Sequence, residues 1–113
     1  MSMNAGVAMD RLNDEIHDEI LRGVILSVLI KRQLDWMTFN GLKVQVQRGQ
    51  GCPLDDAELR FHLAYLSDSA RGYVELKPLR AGHTGAESSL VRATAKAVDL
   101  HDGRIAPDPG VAF

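Results

Sequence analysis

The sequence predicts a small α+β domain that is mostly helical, with three helices, a two-stranded hairpin and a short closing helix. Two stretches, residues 14–32 and 55–69, repeat apolar side chains at helical spacing. Residues 73–79 then alternate apolar and polar side chains as a strand does, and residues 88–93 predict the returning strand. A length of 113 residues, with 45% hydrophobic and 25% charged side chains, fits one such domain.

The first helix is predicted over residues 14–32, after a flexible segment at residues 1–13. Its apolar side chains recur every four residues and form one ridge, made of Ile16, Ile20, Val24 and Val28. Asn13 or Asp14 is suited to cap its start, and Asp18 and Arg22 have the spacing of an ion pair. Acidic residues lie in its first half and Lys31 and Arg32 at its end, which the helix dipole favours.

From Val24 to Ile30 the same helix is apolar nearly all round, because Ser27 is its one polar residue. A helix in so small a domain has solvent on one side unless something covers it. Either the rest of the chain wraps this helix as a central element, or part of its face is a subunit interface. On the second interpretation the chain is a homodimer, with candidate interface residues Val24, Ile25, Val28 and Leu29.

The element after Met37 is ambiguous from its local pattern. Thr38 is suited to cap a helix, and Phe39, Leu42 and Val46 share one helical face. Residues 42–47 nevertheless alternate like a strand. We interpret the preceding Trp36 as a core residue between the first two helices.

The third helix is predicted over residues 55–69 and has the clearest start. Asp55 and Glu58 form a capping box, in which Asp55 accepts from the first amides and Glu58 reaches back. Its inward stripe consists of Leu59, Leu63, Leu66 and Ala70.

The chain beyond the third helix is predicted as hairpin, helix and tail. Residues 81–85 form the hairpin turn, and Thr94 caps a last helix that ends before Gly103. Two prolines and a glycine in residues 104–113 predict a tail that is flexible or draped over the domain.

Three helices followed by a two-stranded hairpin resemble the winged helix-turn-helix domain. The resemblance is carried by residues 63–66 and 71–76, where the third helix leads into a strand, and by residues 91–103, where the second strand leads into the closing helix. It covers about residues 14–103 and departs at Ala97, where the family often has glycine. It favours a helix for the ambiguous second element.

The resemblance implies that the third helix enters the major groove of duplex DNA while the hairpin contacts the backbone or minor groove. The implied role is transcriptional regulation or another DNA transaction. Arg60 is suited to a base edge or a phosphate, and the flanking cations to phosphates. The candidate DNA-binding residues are Lys43, Arg48, Ala57, Arg60, Phe61, Ala64, Lys77, Arg80 and His83.

The charge distribution leaves a second interpretation open. The net charge is −2, with −3 in residues 1–30 and +2 in residues 31–92. Three acids, Asp55, Asp56 and Glu58, crowd the end of the helix that would enter the groove. Phe61 and Tyr65 form an outward aromatic patch of the kind that marks protein contacts. The alternative is a winged-helix protein-interaction module that does not bind DNA.

We expect no catalytic residues, metal or cofactor. The four histidines are scattered without ligand spacing, and we expect His62 to be a partly buried, satisfied imidazole. The single cysteine, Cys52, excludes an internal disulfide. The longest apolar run, residues 23–30, is far shorter than the ~20 residues of a membrane helix. We therefore expect a cytoplasmic protein without a membrane partner.

Overall fold

The first helix, α1, spans Ser2–Lys31 and is longer than predicted. The computed structural model describes residues 2–51, 53–79 and 89–113, and their side chains from residue 14 onward. Asn13 and Asp14 lie inside α1 instead of capping it. Residues 2–13 contain no proline and several good helix formers, so no residue in them stops the helix.

The remaining elements follow the predicted order, except for one strand, β1, that was not predicted. They are β1 (Met37–Thr38), α2 (Phe39–Gln50), α3 (Asp56–Ser67), β2 (Val74–Pro78), β3 (Ser89–Ala93) and α4 (Ala95–His101). The second element is a helix, and the Thr38 hydroxyl caps it by accepting from the Gly41 amide at 3.0 Å. The fold is α+β, with four helices and a small antiparallel sheet among the described residues.

The sheet has three strands instead of the predicted two, in the order β1-β3-β2. Met37 lies opposite Val91 on one side of β3, and Leu76 lies opposite the same residue on the other. β1 has two residues, which is too short for an alternating pattern to reveal it. It joins the start of α2 to the hairpin.

The core lies between α1, the other helices and one side of the sheet. Leu59, Leu63 and Leu66 of α3 are fully buried, as their spacing predicted, whereas Ala70 lies beyond the end of α3 and is exposed. Ile25 and Leu29 of α1 are fully buried as well. These two residues therefore cannot contact a second chain, and the predicted dimer interface is wrong at both.

Residues 104–113 are draped over α1 and α3. Val111 is buried, and the Ala112 amide donates to the Glu19 carbonyl at 3.0 Å. A Cβ atom on Gly23 of α1 would overlap the Ala112 carbonyl oxygen. The tail can therefore lie against α1 here because residue 23 is glycine.

Candidate nucleic-acid interface

The face of α3 that points away from the core is exposed. Leucines at positions 59, 63 and 66 bury the opposite face, because side chains three or four residues apart share one side of a helix. The outward residues are Ala57, Arg60, Phe61 and Ala64, as predicted. Phe61 has 58% of its surface exposed, which is high for a phenylalanine.

Two of the three acids at the start of α3 are engaged within the chain. The Asp55 carboxylate accepts from the Glu58 amide at 2.7 Å and caps the helix. Asp56 forms an ion pair with Lys43 of α2, with an N–O distance of 2.7 Å. Exposed ion pairs contribute about 1 kcal/mol or less, so a phosphate can compete for Lys43. Because two of the three acids have partners within the chain, they repel an anionic ligand less than three unpaired carboxylates would.

Lys77 lies on the sheet beside Trp36. The Lys77 ammonium is 5.8 Å from the centre of the Trp36 ring, and the Arg92 guanidinium is 4.4 Å from it. Arg92 also donates to the Glu75 carboxylate at 2.8 Å. Trp36 is half-buried under these cations, so its predicted position in the core between two helices is wrong. β1, which the sequence did not reveal, holds Trp36 next to the sheet.

Arg48 lies on a different side of α2 from Lys43. The two residues are five positions apart, which is about 140° around a helix. Lys43 contacts the start of α3, whereas Arg48 lines a cavity of about 500 Å³ together with Lys31, at the end of the first helix, and Arg32, just after it. Arg48 is therefore not part of the α3 face. Arg80 and His83 lie outside the described residues.

His62, on the inner side of α3, is fully buried instead of partly buried. Its Nδ1 atom accepts from Arg22 Nε at 3.2 Å, so the ring proton is on Nε2. Nε2 lies 3.5 Å from Asp18 and has no hydrogen-bond partner among the described residues. Burial lowers the pKa of His62 to about 4, although the Asp18 charge acts in the opposite direction. The imidazole is therefore neutral at pH 7.

Tyr65 is half-buried between two guanidinium groups and does not form an outward patch with Phe61. The Arg22 and Arg71 guanidinium carbons lie 3.7 and 3.6 Å from its ring centre. Arg22 also donates to the Gly110 carbonyl at 3.2 Å, which connects this cluster to the tail.

A second polar contact holds the tail at the other side of the same cluster. The Tyr73 hydroxyl donates to Asp108 at 2.9 Å. Burial and this hydrogen bond to a carboxylate raise the pKa of Tyr73 to about 12. The partners of Arg22 and Tyr73 are 88 and 35 residues away along the chain, so local spacing carried no signal for them.

Among the described residues, no three or more His, Cys, Asp or Glu side chains are grouped in a way that could hold a metal ion. In the same part of the chain, no helix combines the length and apolar character needed to cross a bilayer. Comparison with known protein families, curated proteins and solved structures found no significant match.

Proposed function

We propose that this chain is a winged-helix module that binds duplex DNA. The element order helix, strand, helix, helix, hairpin and the strand order β1-β3-β2 agree with a winged-helix layout. The observation that carries the proposal is the exposed face of α3, on which Arg60 lies beside two alanines and which leads along the chain to the hairpin.

Each residue of this face has a chemical role in the proposed complex. Ala57 and Ala64 are small, so the helix can approach the floor of the major groove closely. Arg60 donates to guanine or to a phosphate, and Phe61 offers an apolar contact to a thymine methyl group. Lys43 exchanges Asp56 for a phosphate, and Lys77 and Arg80 contact the backbone from the hairpin.

The experiment is fluorescence anisotropy with a labelled duplex of mixed sequence at low salt. Arg60→Ala should weaken binding about tenfold, because it removes a charged donor from the helix in the groove. Arg104→Ala is the matched control: it removes the same charge from an exposed position after α4, where Arg104 pairs with Asp99. Circular dichroism of both variants checks that the fold is intact.

Two outcomes would overturn DNA binding through α3. One is the absence of binding at about 100 µM protein in low salt, where even non-specific DNA binders associate. The other is an equal loss in Arg60→Ala and Arg104→Ala, which would locate the contact elsewhere.

The exposure of Phe61 favours a second candidate, a protein-interaction module that uses the same face of α3. This function would be supported if the chain fails to bind duplex DNA and Phe61→Ser abolishes binding to an identified protein partner. Because Phe61 is largely exposed, this substitution should leave the fold stable. Unchanged partner binding by Phe61→Ser would reject this candidate.

A further inference from the structure

A groove between α1 and α2 has cations at one end and apolar side chains at the other. Its cationic end is the cavity of about 500 Å³ that Lys31, Arg32 and Arg48 line. We propose that this α1–α2 groove binds a long-chain aliphatic carboxylate, whose carboxylate group contacts the three cations while its chain lies along α1. Such binding is independent of the proposed DNA interface, since the lining residues come from α1, α2, the segment between them and the tail.

The groove continues from its cationic end to its apolar end. A second cavity, of about 290 Å³, follows α1 from Val28 to Ile20 and shares Val28, Lys31 and Gly49 with the larger one. A side chain on Gly49 would start 3.7 Å from Val24, where the two cavities adjoin. Val24 and Val28, the two half-buried residues of the predicted dimer interface, therefore line the groove.

The apolar residues and a cation of α1 lie on one side of that helix. Ile20, Val24, Ser27 and Lys31 follow one another at intervals of four, three and four residues, so they point within about 60° of one another. The acids of α1 that the structure describes are each rotated by about 100° or more from Ile20; they are Asp14, Glu15, Asp18 and Glu19. A chain that lies along this side of α1 therefore reaches a cation without passing an acid of the helix.

The three cations of the groove have no partner among the described residues. Lys31, Arg32 and Arg48 are exposed and make no ion pair, hydrogen bond or ring contact within that part of the chain. The described residues that line the two cavities include no acid either. By contrast, most other arginines contact an acid, a carbonyl or a ring, as do Arg22, Arg71, Arg92 and Arg104. An anion in the groove would therefore meet three positive charges that no described acid neutralises.

The chemistry of the lining favours a carboxylate on an aliphatic chain over a free inorganic anion. A guanidinium group donates two parallel hydrogen bonds to the two oxygens of a carboxylate, and Arg32 and Arg48 each offer one such group. At the other end, Ile20 and Phe113 are 44% and 55% exposed. An aliphatic chain would remove this apolar surface from water, whereas an inorganic anion would leave it exposed.

The dimensions of the groove determine the length of the chain. From Lys31 to Ile20 it follows α1 for about 16 Å, at 1.5 Å per residue. An extended carboxylate of about twelve carbons, with single bonds of about 1.5 Å in a zigzag, has this length. The larger cavity alone lies within the range of about 300–1,000 Å³ that is typical of small-molecule sites.

The test is isothermal titration calorimetry of the full chain with dodecanoate, at pH 8 and low salt, below the concentration at which dodecanoate forms micelles. We expect one dodecanoate per chain. Octanoate should bind at least tenfold more weakly, because it lacks four methylene groups worth about twofold each in an open groove. Dodecyltrimethylammonium, which has the same chain and the opposite charge, should not bind. No binding of dodecanoate at about 0.5 mM, or equal binding of dodecyltrimethylammonium, would overturn the proposal.

Substitutions locate the site within the groove. Arg48→Ala should weaken dodecanoate binding about tenfold, because it removes one of three charged donors from an exposed position on a helix. Ile20→Asn should weaken it severalfold at the apolar end and leave the circular dichroism spectrum unchanged. Arg104→Ala removes the same charge away from the groove and should have no effect. An equal loss in Arg48→Ala and Arg104→Ala would mean that general charge attraction, and not the groove, binds the carboxylate.

The two proposed sites can fail separately. Arg60→Ala, which should weaken DNA binding, should bind dodecanoate as tightly as the wild-type chain. A loss of dodecanoate binding in Arg60→Ala that is as large as in Arg48→Ala would place the carboxylate on α3 and reject the groove as its site.

Discussion

The buried imidazole of His62 should make the stability of the domain depend on pH. It is fully buried and accepts a hydrogen bond from Arg22, whereas its Nε2 atom lies 3.5 Å from Asp18 without a hydrogen bond to any described residue. A proton on Nδ1 would remove the hydrogen bond from Arg22 and place two cations next to each other. Burial and the Arg22 charge therefore keep the pKa of His62 near 4, against 6.5 in an unfolded chain.

Stability should decrease as the pH falls from 6.5 toward 4. In this interval the unfolded chain binds a proton at His62 that the folded chain does not, so acid favours unfolding, by up to roughly 3 kcal/mol at pH 4. Urea unfolding at pH 7.0, 6.0 and 5.0 measures the change. His62→Gln keeps an acceptor for Arg22 but does not titrate, so its stability should fall much less over the same range. An equally steep fall in this variant would assign the effect to other groups.

Between elements, the contact of the tail, residues 104–113, with α1 depends on Gly23. A glycine inside a helix normally costs about 1 kcal/mol relative to alanine. At position 23 this cost is offset by the close approach of the tail, in which Val111 is buried and the Ala112 amide donates to Glu19. The missing side chain leaves room for the Ala112 carbonyl.

Gly23→Ala should therefore destabilise the protein, although alanine favours a helix. The new methyl group would displace the tail, at a cost of roughly 1–3 kcal/mol. Gly49→Ala is the matched control in α2, because its methyl group would meet Val24 at 3.7 Å, an ordinary contact distance. It should raise stability by up to about 1 kcal/mol. Thermal unfolding followed by circular dichroism distinguishes the two, and equal stabilisation by both substitutions would contradict the role of Gly23.

Elements with a local signal could be predicted from the sequence, whereas their long-range partners could not. Asp55 and Thr94 cap helices through amides three residues away, and both caps are confirmed. Asp18 and Arg22 have the spacing of an ion pair. Instead, Arg22 donates to His62 and Asp18 lies 3.5 Å from the same ring, because the packing of α3 places His62 between them. The position of Trp36 likewise depends on the pairing of β1 with β3, which has no local pattern. The α3 face was predictable because helical periodicity determines which side is buried.

At the scale of the whole molecule, charge is separated along the chain. Residues 1–30 carry a net charge of −3 and residues 31–92 a net charge of +2. Lys31, Arg32 and Arg48 lie together around a cavity away from the α3 face, so phosphate contacts should be limited to Lys43, Arg60, Lys77 and Arg80.

This small number of contacts predicts a shallow dependence of DNA affinity on salt. Each neutralised phosphate contributes about −0.9 to the slope of log K against log salt concentration, so four contacts give a slope of about −3.6 per copy. Anisotropy titrations between about 50 and 300 mM KCl measure this slope. Arg60→Ala should make it less steep by about one if Arg60 binds a phosphate, and should leave it unchanged if Arg60 binds a base. A wild-type slope steeper than about −5 per copy would mean that further cations, such as Lys31, Arg32 and Arg48, also contact DNA, because the four cations proposed above cannot account for it.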